Sequence, residues 1–207
     1  LCRRKSFLER HPAKRPFKNR KLAQPKSRLM IQDIFGDCKK QLRAALKHKK
    51  HSFRFFTLAT SSSERGTHLR TVVLRDFDPE QMQFTIFTDT RSKKVADLNR
   101  IPNAQFLFYD GIRLIQLVVE AVMISSTDET YLYHSLPEPS KKDYASEQTP
   151  GTPIDASDQI SHDFSKGNFT KIVFQAERLE YLRLKRPNHI RAEFRASDHW
   201  KGQFLAP

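Results

Sequence analysis

Apolar and polar residues alternate in short segments between residues 53 and 195, and this alternation predicts a mainly β protein. The longest such segment, residues 113–125, has only apolar residues at its odd positions from Ile115 to Met123. Its even positions are mostly apolar too, although Gln116 lies among them. Because both faces of this strand must be covered, we expect the barrel interior on one side and a helix or a second subunit on the other.

The remaining pattern predicts seven or eight strands in meander order with peripheral helices, and closure into a small barrel. The predicted strands are residues 53–60, 68–75, 84–88, 103–109, 113–125, 170–174, 177–184 and 190–195. The segments 170–174 and 177–184 are expected to pair with each other. The predicted helices are residues 30–50, 95–100, 128–136 and 155–166, with a further short turn of helix over 140–145.

Charge divides the chain near residue 50. The formal net charge is +14, and residues 1–50 hold 17 Lys and Arg against 3 Asp and Glu, which is already +14. The other residues hold 20 of each sign. A nucleic-acid-binding fold typically carries its basic surface on the domain itself, so this distribution argues against nucleic acid as a partner of the folded part.

Residues 1–29 form a basic arm without sustained periodicity, for which we expect disorder, and residues 30–207 form one domain. A basic, acid-poor arm is also typical of an organellar transit peptide, although Ser is scarce here. A third interpretation is that the native protein begins at Met30, the first Met, directly before the first predicted helix. N-terminal sequencing of natively expressed protein would contradict this last interpretation if it began upstream of Met30.

Several classes of site are not indicated. Cys2 and Cys38 form no CxxC pair and no Cys/His cluster has zinc spacing, so we expect no metal. Nothing points to an oxidising compartment and no apolar run approaches the roughly 18 residues of a membrane span, so we expect a cytoplasmic protein. The glycines form no dinucleotide- or phosphate-binding loop, and no GxSxG or HExxH motif occurs.

Residues 70–94 carry the candidate chemistry. Ser92, Lys93 and Lys94 lie at the start of the helix predicted over 95–100, where bases weaken a helix but, together with free amides, suit a phosphate. Arg70 and Arg75 lie about 17 Å apart along a strand, comparable to an extended mononucleotide with its phosphate near Arg70 and a flat ring near Arg75. A solvated basic turn is the alternative interpretation.

The ordered series RTVVLR, FTIFTDTRSKK, IPNAQFLFY, the strand with Gln116 and the terminal FLAP resembles the pyridoxamine 5′-phosphate oxidase-like family of FMN-binding split β-barrel proteins. The resemblance covers residues 53–207 and is most specific over 70–120. It implies a homodimer with FMN at the subunit interface, which would cover the second face of the 113–125 strand. The chain is more similar to the divergent, oxidase-related branch than to the vitamin enzyme.

The resemblance also implies three groups of cofactor contacts. The group at the FMN phosphate and ribityl chain comprises Arg70, Ser92, Lys93 and Lys94. The group at the flavin ring comprises the backbone of Val72, Val73 and Leu74 with Arg75, Phe87, Thr88 and Gln116. Gln148 and Thr149 are expected to reach the cofactor across the dimer.

The substrate side departs from the family pattern. Leu132 and Leu136 stand where the oxidase has the Tyr and Arg that hold the vitamin phosphate. His189 and Arg191, the expected substrate contacts, occur in exchanged order relative to the oxidase, and Glu193 replaces a base near the flavin. We therefore predict an FMN-dependent oxidoreductase acting on a small molecule, with the vitamin phosphates left open as substrates. A non-catalytic FMN-binding or interaction protein is the alternative.

Overall fold

The computed structural model describes residues 30–62, 66–165 and 167–207, so the predicted arm over residues 1–29 lies outside the described part. The helices are α1 (Ile31–Lys47), α2 (Lys93–Arg100), α3 (Thr130–Ser135) and α4 (Glu138–Lys141), with single 3-10 turns at Ser52–Arg54, Lys142–Tyr144 and Ala196–Asp198. The strands are β1 (Phe55–Ser62), β2 (Gly66–Val73), β3 (Asp76–Asp78), β4 (Gln83–Asp89), β5 (Asn103–Asp110), β6 (Ile115–Thr127), β7 (Phe169–Arg183), β8 (Ile190–Arg195) and β9 (Gln203–Leu205).

The strands form one antiparallel sheet in the order β2-β1-β5-β6-β7-β4-β3, with β8 beside β7 and β9 beside β8. The sheet curls until β2 and β4 come into contact. Just beyond β2, the amide of Arg75 donates to the carbonyl of Thr85 on β4 at 2.9 Å. The result is a barrel split along the β2 edge, and the predicted mainly β class is confirmed.

Phenylalanine rings fill the barrel. Phe106 lies with its ring centroid 5.0 Å from Phe56, 5.5 Å from Phe84 and 5.1 Å from Phe174, each of them buried. On β6 the odd positions from residue 115 to 121 are buried while the even ones are only half-buried, as the alternation predicted. Burial of these rings provides the main stabilisation of the fold and keeps the strands that carry the site in a fixed position.

Helix α1 closes one end of the barrel through Phe35, whose ring stacks on Phe194 at 4.8 Å and on Trp200 at 5.5 Å between centroids. Beyond this stack, Gly202 allows the backbone to pass close to the ring of Phe194. It has a φ of +73°, and a Cβ there would collide with the ring of Phe194.

Gly202→Ala should therefore destabilise the fold by about 1–3 kcal/mol, since it adds both backbone strain and overpacking. Gly36→Ala is the matched control, because Gly36 lies inside α1 with open space around it. That substitution should stabilise the protein by up to about 1 kcal/mol. Urea denaturation of both variants measures the effect, and a loss of equal size at both positions would contradict this account.

Two predictions were wrong, one strand pairing and one helix. The segments 170–174 and 177–184 do not pair with each other, because both belong to the 15-residue strand β7. A register shift lets Ala176 pair with Ala121 and Arg178 with Glu120, so one extra residue breaks the alternation that separated them in the sequence. Residues 155–165 form turns and bends instead of a helix, and most of this polar segment is exposed, without a face that could pack. Strands β3 and β9 were not predicted, because three residues are too few to show alternation.

Candidate functional site

A cavity of about 450 Å³ opens between β2 and the N-terminus of α2. All four residues predicted at the phosphate and ribityl chain line it, and the full lining is Thr67, His68, Leu69, Arg70, Ser92, Lys93, Lys94 and Pro150. The turn after β4 places the start of α2 against β2, which brings residues more than twenty positions apart to one opening.

Helix α2 begins with two bases in its first turn. Ser92, at the N-cap position, is buried, and its hydroxyl lies 3.4 Å from that of Thr88. The N-terminus of α2 carries a partial positive charge from its free amides. The ammonium groups of Lys93 and Lys94 lie beside it, so these positive charges repel one another. A bound anion would remove this repulsion, and helix N-termini of this kind hold phosphates.

The two central bases of the cavity are partly withdrawn from water. The Lys94 ammonium donates to Thr88 Oγ1 at 2.7 Å, and Arg70 Nη1 donates to Thr60 Oγ1 at 2.6 Å. Burial lowers the pKa of Lys94 and the positive charge of Arg70 lowers it further, while Asp89 acts in the opposite direction. Burial also lowers the pKa of Arg70, and Asp97 partly offsets this effect. Two partly desolvated cations that line one cavity form a good site for a dianion.

Arg75 lies beyond the end of β2. Its guanidinium carbon lies 5.5 Å from the centroid of the Phe87 ring, and its Nη2 donates to the Tyr144 hydroxyl at 3.3 Å. Its Nε is buried and has no hydrogen-bond partner among the described residues. An unpaired buried N–H is costly, so this atom is suited to a polar ligand group.

The free edge of the sheet, strand β2, runs between the cavity at α2 and Arg75. Val72 and Val73 pair with β1 on one side only, because β2 is the edge strand. The amide of Leu74 donates to the carbonyl of Arg54 at 2.9 Å, and the Leu74 side chain is fully buried. Outward backbone groups of an edge strand can pair with a ligand. On β4, Thr88 is buried while Phe87 is half-buried.

Gln148 and Thr149 lie in a loop that Arg91 ties to the start of α2. Arg91 Nη2 donates to the carbonyl of Ser146 at 2.7 Å and to that of Gln148 at 3.3 Å, and it pairs with Asp89 at 2.8 Å. The next residue, Pro150, lines the cavity of its own chain. The expectation that this loop reaches across a dimer stays a prediction.

Arg91→Lys should loosen this loop, because a single ammonium cannot replace a guanidinium that bonds several carbonyls and a carboxylate at once. We expect faster hydrogen exchange at residues 146–152 and several-fold weaker FMN binding. The matched control is Arg43→Lys, an exposed position on α1 where neither quantity should change. Equal exchange rates in both variants would contradict the anchoring role.

Gln116 and Arg191 lie in one cross-strand row on the outer face of the sheet. Gln116 pairs with Tyr109 on β5 and with Leu182 on β7, and Leu182 in turn pairs with Arg191 on β8. Two strand spacings separate Gln116 from Arg191, or about 10 Å. The structure thus brings a predicted flavin contact and a predicted substrate contact onto the same face.

The two predicted substrate contacts already have partners inside the chain. Arg191 Nε donates to Glu180 Oε1 at 2.9 Å, and the exposed His189 accepts a hydrogen bond from the amide of Lys185 at 3.1 Å. Leu132 and Leu136 pack against a small aromatic cluster, so the structure places apolar groups where the family pattern has polar ones.

Sequence reasoning missed several site residues. Thr60, His68 and Asp97 surround Arg70, and Tyr144 holds Arg75. Thr60 and Asp97 lie 37 residues apart in the chain, so no local pattern joins them. Among the residues that the structure describes, no helix is long and apolar enough to cross a membrane, and no group of His, Cys, Asp and Glu side chains is placed to hold a metal ion.

Residues 37–120 match the family model described as the FMN-binding domain of pyridoxamine 5′-phosphate oxidase. These residues therefore form an FMN-binding domain of the pyridoxamine 5′-phosphate oxidase-like type. The chain is 28% identical over 160 residues to pyridoxine/pyridoxamine 5′-phosphate oxidase 2 of Arabidopsis thaliana, covering 68% of this chain and 78% of that one. It is 33% identical over 97 residues to the pyridoxine/pyridoxamine 5′-phosphate oxidase of Microcystis aeruginosa, covering 47% of this chain and 44% of that one.

Solved structures of this oxidase-like family share the fold. A pyridoxamine 5′-phosphate oxidase-related, FMN-binding protein from Nostoc punctiforme superposes with a TM-score of 0.67 at 20% identity, covering 83% of this chain and 96% of that one. PhzG from Burkholderia lata, in complex with tetrahydrophenazine-1-carboxylic acid, also gives 0.67, at 17% identity, covering 90% and 98%. The predicted family and split-barrel fold are confirmed, and the family's FMN-binding domain makes FMN the cofactor.

Proposed function

We propose that this oxidase-like protein is an FMN-dependent oxidoreductase acting on a small molecule. The observation that carries the proposal is the pair of partly buried bases, Arg70 and Lys94, at one cavity, with the unpaired Nε of Arg75 farther along the same chain segment. Arg70, Lys94 and the first amides of α2 would hold the phosphate, and Arg75 would face the ring. When bound, FMN supplies hydride acceptance at its ring system.

Arg75 has a chemical as well as a binding role in this proposal. A guanidinium beside the flavin favours negative charge on the reduced ring, because a fixed positive charge in a water-poor site acts strongly. The Tyr144 hydroxyl accepts from Arg75 and limits its movement. Burial raises the pKa of Tyr144 although Arg75 lowers it, so the phenol stays protonated and available as a donor.

We further propose that a second copy covers the outer face of the sheet. Large apolar side chains are exposed there on neighbouring strands, namely Phe55 on β1 at 54% and Leu107 and Tyr109 on β5 at 39% and 50%. A contiguous exposed apolar patch is typical of a protein–protein interface. Gln116 lies directly beside Tyr109 in this face, so the interface would include a residue predicted at the flavin.

Leu107→Glu should therefore produce a monomer that binds FMN at least tenfold more weakly, because a charge in an apolar interface is costly. Light scattering coupled to gel filtration gives the mass, and flavin fluorescence gives the affinity. Tyr131→Glu is the control, since Tyr131 is 89% exposed on α3 and should leave the dimer intact. A dimeric Leu107→Glu variant with normal FMN affinity would refute this interface.

The second candidate function is FMN binding without turnover. The pairing of Arg191 with Glu180 favours it, because a group expected to hold the substrate is already neutralised within the chain. Anaerobic mixing of the FMN-loaded protein with pyridoxamine 5′-phosphate, pyridoxine 5′-phosphate and other amines distinguishes the two. Bleaching of the yellow colour followed by recovery in oxygen supports the oxidoreductase, whereas an unchanged spectrum with every compound supports the binding protein.

A further inference from the structure

The cavity between β2 and α2 contains a further titratable base, His68, which the family resemblance does not assign. We propose that His68 is an additional ligand of the FMN phosphate and that the buried Asp97 positions both His68 and Arg70. This inference rests on the proposed function, since it requires the phosphate to occupy this cavity.

A small hydrogen-bonded cluster fixes the geometry. His68 and Arg70 are two residues apart on β2, so their side chains leave the same face of the strand. His68 Nδ1 lies 3.0 Å from Asp97 Oδ2, to which Thr60 Oγ1 also donates at 2.9 Å. Arg70 Nη2 lies 3.8 Å from the same oxygen, and Arg70 Nη1 donates to Thr60 at 2.6 Å. One carboxylate therefore orients both bases that border the cavity on the β2 side.

Asp97 remains ionised in this cluster. Burial raises the pKa of its carboxyl, but the bonds from His68 and Thr60 and the charge of Arg70 lower it below the ordinary value. A carboxylate that accepts from Nδ1 leaves the other ring nitrogen of a histidine for a second partner. Since His68 lines the cavity, that partner would be the anion bound there.

Two flavins that differ only in the phosphate test the role directly. FMN and riboflavin are titrated into the full chain, into His68→Gln, and into His134→Gln, an exposed control on α3. We expect His68→Gln to weaken FMN binding about tenfold and to leave riboflavin binding unchanged, while the control changes neither. Equal losses for both flavins would assign His68 a structural role and overturn the proposal, as would unchanged FMN affinity. Failure of the native chain to bind either flavin is a different result, because it would refute the proposed function itself.

Discussion

Lys94→Met is expected to weaken FMN binding by about 1–3 kcal/mol, the usual cost of losing a charge-assisted hydrogen bond to a phosphate. The same substitution should make the FMN-free protein more stable. At neutral pH the charged ammonium is held in a site where burial and Arg70 both lower its pKa, so folding without an anion is penalised. Replacing Lys94 by Met relieves that penalty, and at the same time it removes one of the groups that would hold the FMN phosphate.

The test is specific because the same substitution should lower the FMN affinity and raise the stability of the FMN-free protein. Fluorescence titration gives the FMN affinity, and thermal unfolding with and without FMN gives the Tm. In the native chain FMN should raise the Tm strongly, whereas in Lys94→Met the FMN-free Tm should start higher and rise less. Lys40→Met is the matched control, because Lys40 is exposed on α1 and should change neither quantity.

Arg70→Ala extends the same test to the other base. Its loss should weaken FMN binding by a similar amount, and it removes the donor from which the Thr60 hydroxyl oxygen accepts. Because Arg70 and Lys94 would share one phosphate, the two effects should not add in the double variant. Unchanged FMN affinity in both single variants would mean that the phosphate lies elsewhere.

The sequence was sufficient for those features of the site that local pattern controls. Bases at the start of α2 conflict with the helix dipole, and the sequence of residues 89–94, DTRSKK, shows this conflict directly. The β-branched run before Arg75 indicates a strand. That Arg70 and Lys94 line one cavity depends in addition on the curl of the sheet, which brings β2 beside β4, and only the family resemblance indicated it in the sequence.

What the sequence could not provide depends on long-range register. Asp97 meets Thr60 and His68 only because α2 packs against β1 and β2, and no spacing rule relates these three positions. Arg178 faces Glu120 only because one extra residue in β7 shifts the register. A bulge changes which side chains share a face, and the alternation of hydrophobic residues does not locate it when both flanking segments resemble independent strands.

The same bulge creates the largest charge cluster of the described fold. The guanidinium of Arg178 donates to three carboxylates: Nε to Glu193 at 2.8 Å, Nη1 to Glu120 at 2.8 Å and Nη2 to Glu180 at 2.6 Å. Glu180 and Glu193 are buried. These bonds raise the pKa of Arg178, and its bond to Glu193, with those of Gln203 and Arg195, lowers the pKa of that carboxyl to about 2.

Arg178→Ala should destabilise the protein by about 3–5 kcal/mol at neutral pH, because it leaves two buried carboxylates and a third beside them without their shared cation. Arg195→Ala is the matched control. It removes an exposed partner of the same Glu193, 3.1 Å away, and should cost at most about 1 kcal/mol. Urea denaturation of the three proteins at neutral pH measures both losses.

The pH dependence separates lost charge pairing from lost packing. In the native chain the folded pKa of Glu193 is depressed, so its contribution to stability is complete above the unfolded value of 4.5 and is lost as the pH falls towards about 2. In Arg178→Ala the crowded carboxylates repel each other and gain from protonation instead. The difference in unfolding free energy between the two proteins should therefore shrink as the pH falls below about 5. A difference that stayed constant down to the acid limit would attribute the effect of Arg178 to packing by its side-chain stem.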